Sequence, residues 1–283
     1  ECGYGSTAGG SVESRLAGAR AALLDEVQAA VPEPRLVDVF RRKYDYHNAK
    51  ALVKGEATGA DVHRLLVSGG RYSCRQLLEG FQKDALSGVS ARFQQAVAAA
   101  RRILAGTRDP QQCDILLDKA CYEEMARLAE DCASPFLKGY VRLCADTANL
   151  RTAVRVARMG KGSDFLLHVL LPGGSVAESA LAAARLEDLG SLFQAGALEK
   201  AARLGARAAQ PDGGPLLAFE RECDNALTRY VAAAKRVPFG EEPVIAFLHA
   251  KDAELTAVRT ILSGRRAGLA EAMTWERLRD CCV

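Results

Sequence analysis

Residues 34–55 read PRLVDVFRRKYDYHNAKALVKG, and two later segments of the chain repeat their pattern. These segments are residues 135–156, PFLKGYVRLCADTANLRTAVRV, and residues 243–264, PVIAFLHAKDAELTAVRTILSG. We call the three segments block 1, block 2 and block 3. Each begins with proline, carries an acidic residue 11 positions later and a cation five positions after the acid. The acids are Asp45, Asp146 and Glu254, and the cations are Lys50, Arg151 and Arg259.

Apolar residues in each block recur at helical spacing, which predicts one long helix per block with its apolar stripe facing a core. The stripes are Leu36, Phe40, Ala49, Leu52 and Val53 in block 1, Leu137, Val141, Leu150, Ala153 and Val154 in block 2, and Ile245, Leu248, Val258, Ile261 and Leu262 in block 3. Gly55 is predicted to end the first of these helices.

The composition indicates an all-α protein with a sizeable core. Of the 283 residues, 49% are hydrophobic and only 6% are aromatic, and no region alternates with a period of two. The net charge of +3 argues against a nucleic-acid-binding role. No stretch approaches the roughly 18–20 apolar residues of a membrane span, so a membrane role would be peripheral. The beginning, ECGYGSTAGG, suggests a trimmed N-terminus.

The nine cysteines are interpreted as small apolar residues in a reducing compartment, because their number is odd and none forms a CxxC pair. Two of them, Cys281 and Cys282, are adjacent, which is poor geometry for sharing one tetrahedral metal ion.

The similarity of blocks 1 and 2 extends into the residues that follow them. Each is followed by a short helix, a pair of glycines and a capping-box pattern, which is Ser73 with Gln76 after block 1 and Ser175 with Glu178 after block 2. The glycine pairs, Gly69–Gly70 and Gly173–Gly174, are interpreted as helix punctuation. Thr58 is predicted to cap the first short helix. The pattern predicts three helical domains, at residues 1–107, 108–211 and 212–283, with a linker at residues 211–215.

Polar residues in the blocks allow two interpretations. Asp45 and Asn48 are three apart and share a helix face, as do Asp146 and Asn149, whereas block 3 has Ala257 in place of the amide. Such pairs are typical of a structural clamp on a neighbouring element, which is the favoured interpretation. The alternative is an inner surface that receives a partner. The basic run at residues 41–43 is interpreted as a solvated face.

No catalytic motif is found in the sequence. There is no Gly-rich phosphate loop, nucleophile elbow, HExxH or EF-hand pattern, and His47 has no second ligand at metal-binding spacing. We therefore expect no catalytic residue, metal or cofactor. An all-helical enzyme with an Asp-lined pocket remains an alternative. A generic helical-repeat scaffold is another, although its repeats would be about 30–50 residues long rather than about 100.

The segments KYDYHNAKALVKG (43–55), ADTANLRTAVR (145–155) and AELTAVRTILSG (253–264) resemble the C subunit of the A/V-type ATPases, whose counterpart in the vacuolar ATPase is the d subunit. The resemblance implies three similar helical bundles in a pseudo-threefold funnel. It also implies a non-catalytic adaptor whose cavity receives the central shaft (subunits D and F).

In the same family this subunit rests on the proteolipid ring at the cytoplasmic face of the membrane. It transmits torque between ATP hydrolysis or synthesis and H+ or Na+ movement. The residues that we expect to line the socket or to bridge helices are Tyr44, Asp45, Asn48, Lys50, Asp146, Asn149, Arg151, Glu254 and Arg259.

Overall fold

The computed structural model describes residues 11–194, 196–210 and 212–280, and within these ranges the chain forms helices and no strand. It separates into two compact units, residues 1–133 and residues 134–283. The all-α prediction is confirmed. Unit 1 contains α1 (Val12–Ala30), α2 (Arg35–Thr58), α3 (Cys74–Gln82), α4 (Ala91–Thr107) and α5 (Pro110–Asp131), with a 3₁₀ turn at His63–Leu65.

Unit 2 begins with block 2 and contains the remaining helices. These are α6 (Pro135–Arg158), α7 (Ser163–Val169), α8 (Glu178–Ala183), α9 (Leu189–Leu192), α10 (Glu199–Ala208), α11 (Leu217–Ala232), α12 (Glu241–Arg266) and α13 (Glu271–Arg277), with 3₁₀ turns at Leu186–Asp188 and Ala233–Arg236. Blocks 1, 2 and 3 therefore form most of α2, α6 and α12.

Side-chain caps fix several of the helix starts. The side chains of Ser73, Asp109 and Ser134 each accept a hydrogen bond from a backbone N–H in the first turn of α3, α5 and α6. Pro110 and Pro135 follow two of these caps, where the missing N–H costs no helical hydrogen bond. The start predicted by the capping box at Ser73 is confirmed.

The predicted end of the first long helix is wrong. α2 continues through Gly55 to Thr58 and ends at Gly59, which has the left-handed φ of 68°. A Cβ on Gly55 would overlap the side chain of Val62, so this glycine serves close packing inside the helix. Thr58 caps no following helix, since its hydroxyl donates back to the carbonyl of Lys54 in the last turn of α2.

The long block helices carry the cores of the two units. In unit 1, α2 packs against α4 and α5, and in unit 2, α6 packs against α10 and α11. All ten stripe residues predicted for blocks 1 and 2 are buried. Of the five stripe residues of block 3, Ile245 and Leu248 are buried, whereas Val258, Ile261 and Leu262 are half-buried. The third block helix is therefore covered less completely than the other two.

The domain boundaries stay a prediction. The chain passes from unit 1 to unit 2 between residues 133 and 134, just before block 2. Helix α5, which the prediction placed in the second domain, packs on α2 and α4. Pro211, at the predicted second boundary, lies outside the described residues, as do the N-terminal ten residues, Cys281 and Cys282. No helix in the described part of the chain is both long enough and apolar enough to span a bilayer.

Candidate functional site

The asparagines of blocks 1 and 2 make the same pair of hydrogen bonds. The Asn48 amide donates to the carbonyl of Val67 at 2.9 Å and accepts from the N–H of Val67 at 2.8 Å. Asn149 does the same with Leu171, at 2.8 and 2.7 Å. Each amide thus satisfies both backbone groups of one residue in the chain beyond the block helix. At about 1 kcal/mol per net hydrogen bond, each pair contributes about 2 kcal/mol.

The aspartates hold the same two segments a few residues further on. Oδ1 of Asp45 accepts from the N–H of Tyr72 at 3.1 Å. Oδ1 of Asp146 accepts from the N–H groups of Ser175 and Val176 at 2.7 and 3.3 Å, and its Oδ2 accepts from the Ser175 hydroxyl at 2.5 Å. We call residues 67–72 and 171–176 the clamp segments. In both units the acid and the amide fasten a clamp segment to the block helix.

The glycine pairs lie within the clamp segments and allow this close approach. The first glycine of each pair has a left-handed backbone, with φ of 111° at Gly69 and 89° at Gly173. A Cβ on the second glycine would overlap Oδ1 of the aspartate, for Gly70 with Asp45 and for Gly174 with Asp146. The second glycine is therefore part of the clamp, because any side chain there would displace the carboxylate.

The capping box predicted at Ser175 is wrong. The Ser175 hydroxyl donates to Asp146, and α8 starts at Glu178 after Ala177, which has no side-chain cap. The Ser175 hydroxyl is held at the carboxylate of Asp146 by this charge-assisted hydrogen bond, which is stronger than one between neutral groups. Ser73, in contrast, caps α3 by accepting from the N–H of Gln76 at 3.1 Å.

Two arginines of block 1 are buried, so the prediction of a solvated basic face at residues 41–43 is wrong for both. Arg41 is 4% exposed and pairs with Asp25 at 2.6 Å, while its guanidinium also reaches the carbonyl of Gly70 at 3.3 Å. Arg42 is 1% exposed and donates to Oδ2 of Asp45 at 3.1 Å. Lys43 is exposed.

Burial governs the protonation of the block 1 aspartate. Asp45 is completely buried, and this burial raises its pKa to about 7, although the Tyr72 N–H and the Arg42 guanidinium favour the ionised form. Both of these hydrogen bonds are accepted by Asp45, which suits a carboxylate. The clamp of unit 1 therefore titrates close to neutral pH.

The cations of blocks 1 and 2 tie their block helix to a long helix that follows in the same unit, α5 in unit 1 and α11 in unit 2. In unit 1, Lys50 pairs with Asp118 of α5 at 2.5 Å, and one turn later Lys54 pairs with Asp114 at 2.9 Å. These pairs are partly exposed, so each contributes roughly 0.2–1 kcal/mol.

Unit 2 has the same arrangement between α6 and α11, and we call such ion pairs on successive turns of two helices an ion-pair ladder. Arg151 pairs with Asp224 at 2.6 Å and with Glu220 at 2.7 Å, and Arg155 also pairs with Glu220 at 2.6 Å. In both units the two cations are four residues apart, and so are the two acids. This matching follows because two antiparallel helices present about one residue per turn to each other.

Block 3 lacks the amide half of the clamp. Glu254 is partly exposed and pairs with Lys251 on its own helix at 2.8 Å, and Arg259 is half-buried on the same helix. Ala257 stands where the other blocks have asparagine, and α13 begins soon after the helix ends, at Glu271. Because alanine has no amide, the backbone pairing made by Asn48 and Asn149 cannot form at this position.

The remaining candidate, Tyr44, packs beside the clamp segment. It is buried, Arg20 of α1 lies over its ring at 4.4 Å, and a Cβ on Gly69 would contact the ring edge. The acids that complete the ladders, in α5 and α11, were missed by sequence reasoning, as was the clamp role of the glycine pairs. The recurrence of a glycine pair 24 residues after Asp45 and 27 residues after Asp146 was the available signal.

The clamp residues offer no chemistry to a substrate. Asp45, Asn48, Asp146 and Asn149 are at most 4% exposed, and each is occupied by partners in its own unit. The Asp-lined pocket required by the enzyme alternative is therefore absent around these four residues. Among the described residues, no cluster of His, Cys, Asp or Glu could hold a metal ion.

The fold and the clamps define a class of all-helical repeat proteins, in which long helices fasten their own connecting segments and the signature residues face inward. The chain belongs to the ATP synthase (C/AC39) subunit family, which it matches over residues 4–277. It is thereby one component of the rotary ATPases of the A/V type, which are built from many different chains, as the resemblance of the blocks implied.

Several individual family members are similar along most of their length. The C subunit of the V-type sodium ATPase from Enterococcus hirae is 24% identical over 268 residues, covering 95% of this chain and 82% of the relative. The C subunit of the V-type ATP synthase from Thermus thermophilus is 28% identical, covering 92% and 81%. The C subunit of the A-type ATP synthase from Haloferax volcanii is 28% identical, covering 83% and 70%.

Proposed function

We propose that this chain is the non-catalytic central-stalk adaptor of a rotary A/V-type ATPase. It couples the central shaft, subunits D and F, to the membrane proteolipid ring at the cytoplasmic face. It takes part in ATP-driven H+ or Na+ transport, or in ATP synthesis, without an active site of its own. In this proposal the three blocks form three similar domains around a pseudo-threefold axis.

The single observation that carries the proposal is the family match over residues 4–277. The buried acids and amides of blocks 1 and 2 fit it, because they bind segments of their own unit. A protein that transmits torque has to resist deformation between its two attachment surfaces. The clamps and ion-pair ladders supply this, because they fasten each connecting segment and each neighbouring long helix to a block helix. Close-packed interiors transmit strain rather than absorb it.

Exposed leucines in equivalent connecting segments are our candidates for contact with the ring. Leu65 is 58% exposed and lies 17 residues after Asn48, and Leu167 is 46% exposed and lies 18 residues after Asn149. A partner assembled from identical copies presents the same surface repeatedly, so equivalent repeats of this chain would meet it with equivalent residues. Large exposed apolar side chains are typical of such contacts.

Affinity purification from detergent-solubilised membranes tests the proposal. The tagged chain is expected to recover the shaft subunits and the proteolipid, identified by mass spectrometry. Recovery of neither would refute the adaptor role and leave the generic helical scaffold as the alternative.

A pair of variants tests the ring contact separately. Leu65→Asp combined with Leu167→Asp is expected to lose the proteolipid while keeping the shaft subunits. The control is Met273→Asp, since Met273 is 47% exposed and lies on α13 outside these segments. Equal proteolipid recovery by the double variant and the control would show that the two leucines do not form the contact.

A further inference from the structure

Unit 1 buries more charge behind its clamp than unit 2 does. Arg42 and Asp45 of α2 and Glu124 of α5 are 1%, 0% and 2% exposed. Arg42 donates to Asp45 at 3.1 Å, and its Nε lies 3.6 Å from Oε1 of Glu124. The carboxylates of Asp45 and Glu124 therefore share one buried cation, Arg42. The cluster carries one excess negative charge when both carboxylates are ionised.

Glu124 is held in this cluster by two hydroxyl groups. The Tyr46 hydroxyl donates to its Oε2 at 3.0 Å, and the Ser90 hydroxyl donates to its Oε1 at 3.2 Å. The Ser90 backbone in turn donates to the hydroxyl of Tyr72, the residue whose own N–H binds Asp45. The cluster thus links α2, α4 and α5 to the end of the clamp segment.

Further titratable groups that interact with Asp45 include acids and thiols. Asp38 of α2 raises its pKa as Glu124 does, and the buried thiol of Cys121 on α5 and the thiol of Cys74 at the start of α3 also interact with it. Against these groups, the guanidinium of Arg42 lowers the pKa of Asp45. Burial and the nearby negative charges outweigh the effect of Arg42, so the closed clamp holds a proton on Asp45 more tightly than a water-exposed aspartate does.

Unit 2 provides an internal comparison. Leu143 and Thr147 occupy the positions that correspond to Arg42 and Tyr46, counted from the block acid. Asp146 receives the N–H groups of Ser175 and Val176 and the Ser175 hydroxyl. Its clamp contains no second carboxylate and no arginine among these hydrogen-bond partners.

We propose that the clamp on residues 67–72 is a proton-sensitive catch, which opens more often as the pH rises from acid values towards neutrality, whereas the clamp on residues 171–176, which lacks the arginine and the second carboxylate, does not respond in this way. The ligand of this catch is the proton itself. The proposal does not depend on the ATPase role of the chain.

The direction of the effect follows from proton linkage. In the open state water reaches Asp45, so its pKa falls towards the ordinary value of about 3.9, while in the closed state burial keeps it at about 7. The closed state therefore binds more protons than the open state between these two values. Raising the pH in this interval favours the open state, at up to about tenfold per pH unit for one proton.

Opening would affect the connecting segment before the clamp. Residues 60–66 join the end of α2 to the clamp segment and include Leu65. If the adaptor role holds, a rise in pH would loosen the proposed ring contact at Leu65 in unit 1 and leave the one at Leu167 in unit 2 unchanged.

Amide hydrogen exchange of the full chain between about pH 5.5 and 8.5 tests the proposal, with each rate corrected for the intrinsic pH dependence of exchange. The protection of peptides covering residues 67–72 is expected to fall as the pH rises through the interval between the two pKa values. Peptides covering residues 171–176 in the same molecule are expected to keep constant protection. Equal pH dependence of the two segments, or none in either, would overturn the proposal.

Glu124→Gln is the matched variant, because it removes the excess negative charge and leaves Arg42 and Asp45 paired. The fall in protection of residues 67–72 should then shift to lower pH, because burial still raises the pKa of Asp45 while the like charge of Glu124 no longer adds to it. A variant that keeps the wild-type pH dependence would show that the shared charge does not contribute to it. The comparison of the two segments in the wild-type chain stands even if this variant fails to fold.

Discussion

Replacing Asp146 by alanine removes the carboxylate that holds the clamp segment of unit 2. The backbone N–H groups of Ser175 and Val176 lose an ionised acceptor, at 2.7 and 3.3 Å, and the Ser175 hydroxyl loses its partner at 2.5 Å. Hydrogen bonds to charged groups contribute roughly 1.5–3 kcal/mol each, but the segment is only partly buried and water would re-solvate some donors. We expect unit 2 to lose about 4 kcal/mol of stability.

Thermal unfolding measures this loss, with Glu254→Ala as the control. Glu254 is the block 3 counterpart of Asp146, and its pair with Lys251 is partly exposed, so its removal should cost less than about 1 kcal/mol. At roughly 2–4 °C per kcal/mol for a unit of this size, Asp146→Ala should lower the unfolding midpoint of unit 2 by about 8–16 °C.

If Asp146→Ala and Glu254→Ala unfold at similar temperatures, the stabilising role of the Asp146 clamp is refuted. A loss below about 1 kcal/mol for Asp146→Ala would mean that water replaces the carboxylate without cost. Because the chain has two units, the transitions should be resolved by calorimetry, since a single midpoint would mix them.

Three further perturbations test other parts of the description. Gly174→Ala should destabilise unit 2 in urea unfolding. The control is Gly106→Ala in α4, where a Cβ would meet open space, and it should stabilise unit 1 by about 0.5–1 kcal/mol. Similar effects of the two variants would contradict the close approach of Gly174 to Asp146. Lys54→Ala should cost at most about 1 kcal/mol through its pair with Asp114, and the loss should shrink in about 0.5 M salt; a salt-independent loss would point to packing instead. Burial raises the pKa of Cys223 to about 12, so native protein should resist alkylation there at about pH 8 by mass spectrometry, and rapid labelling would contradict this burial.

Much of the architecture follows from local sequence signals. The stripes of blocks 1 and 2 predicted buried faces, and Ser73 with Gln76 predicted the start of α3, because helical periodicity and capping act over a few neighbouring residues. Gly55 misled the prediction of a helix end, since the same residue type ends helices and permits close packing within them.

The polar partners required the three-dimensional arrangement. Asp45 and Asn48 were identified as a pair on one face, but their targets lie 27 and 19 residues later in an irregular segment. The burial of Arg42 was not predictable either, because a basic run on a helix is ordinarily solvated. Glu124, which shares this arginine, lies 82 residues away in the chain, so local spacing gave no sign of it.

The sequence by itself identifies the three block helices, the all-α class and the family. All three rest on periodicity and on motifs contained within single segments. The groups that the repeated acid and amide bind, and the difference between the two clamps, emerge only when distant segments are folded together. The physical reason is that a buried carboxylate takes its properties from the groups around it. Asp146 meets N–H donors and a hydroxyl, whereas Asp45 also shares one arginine with a second acid.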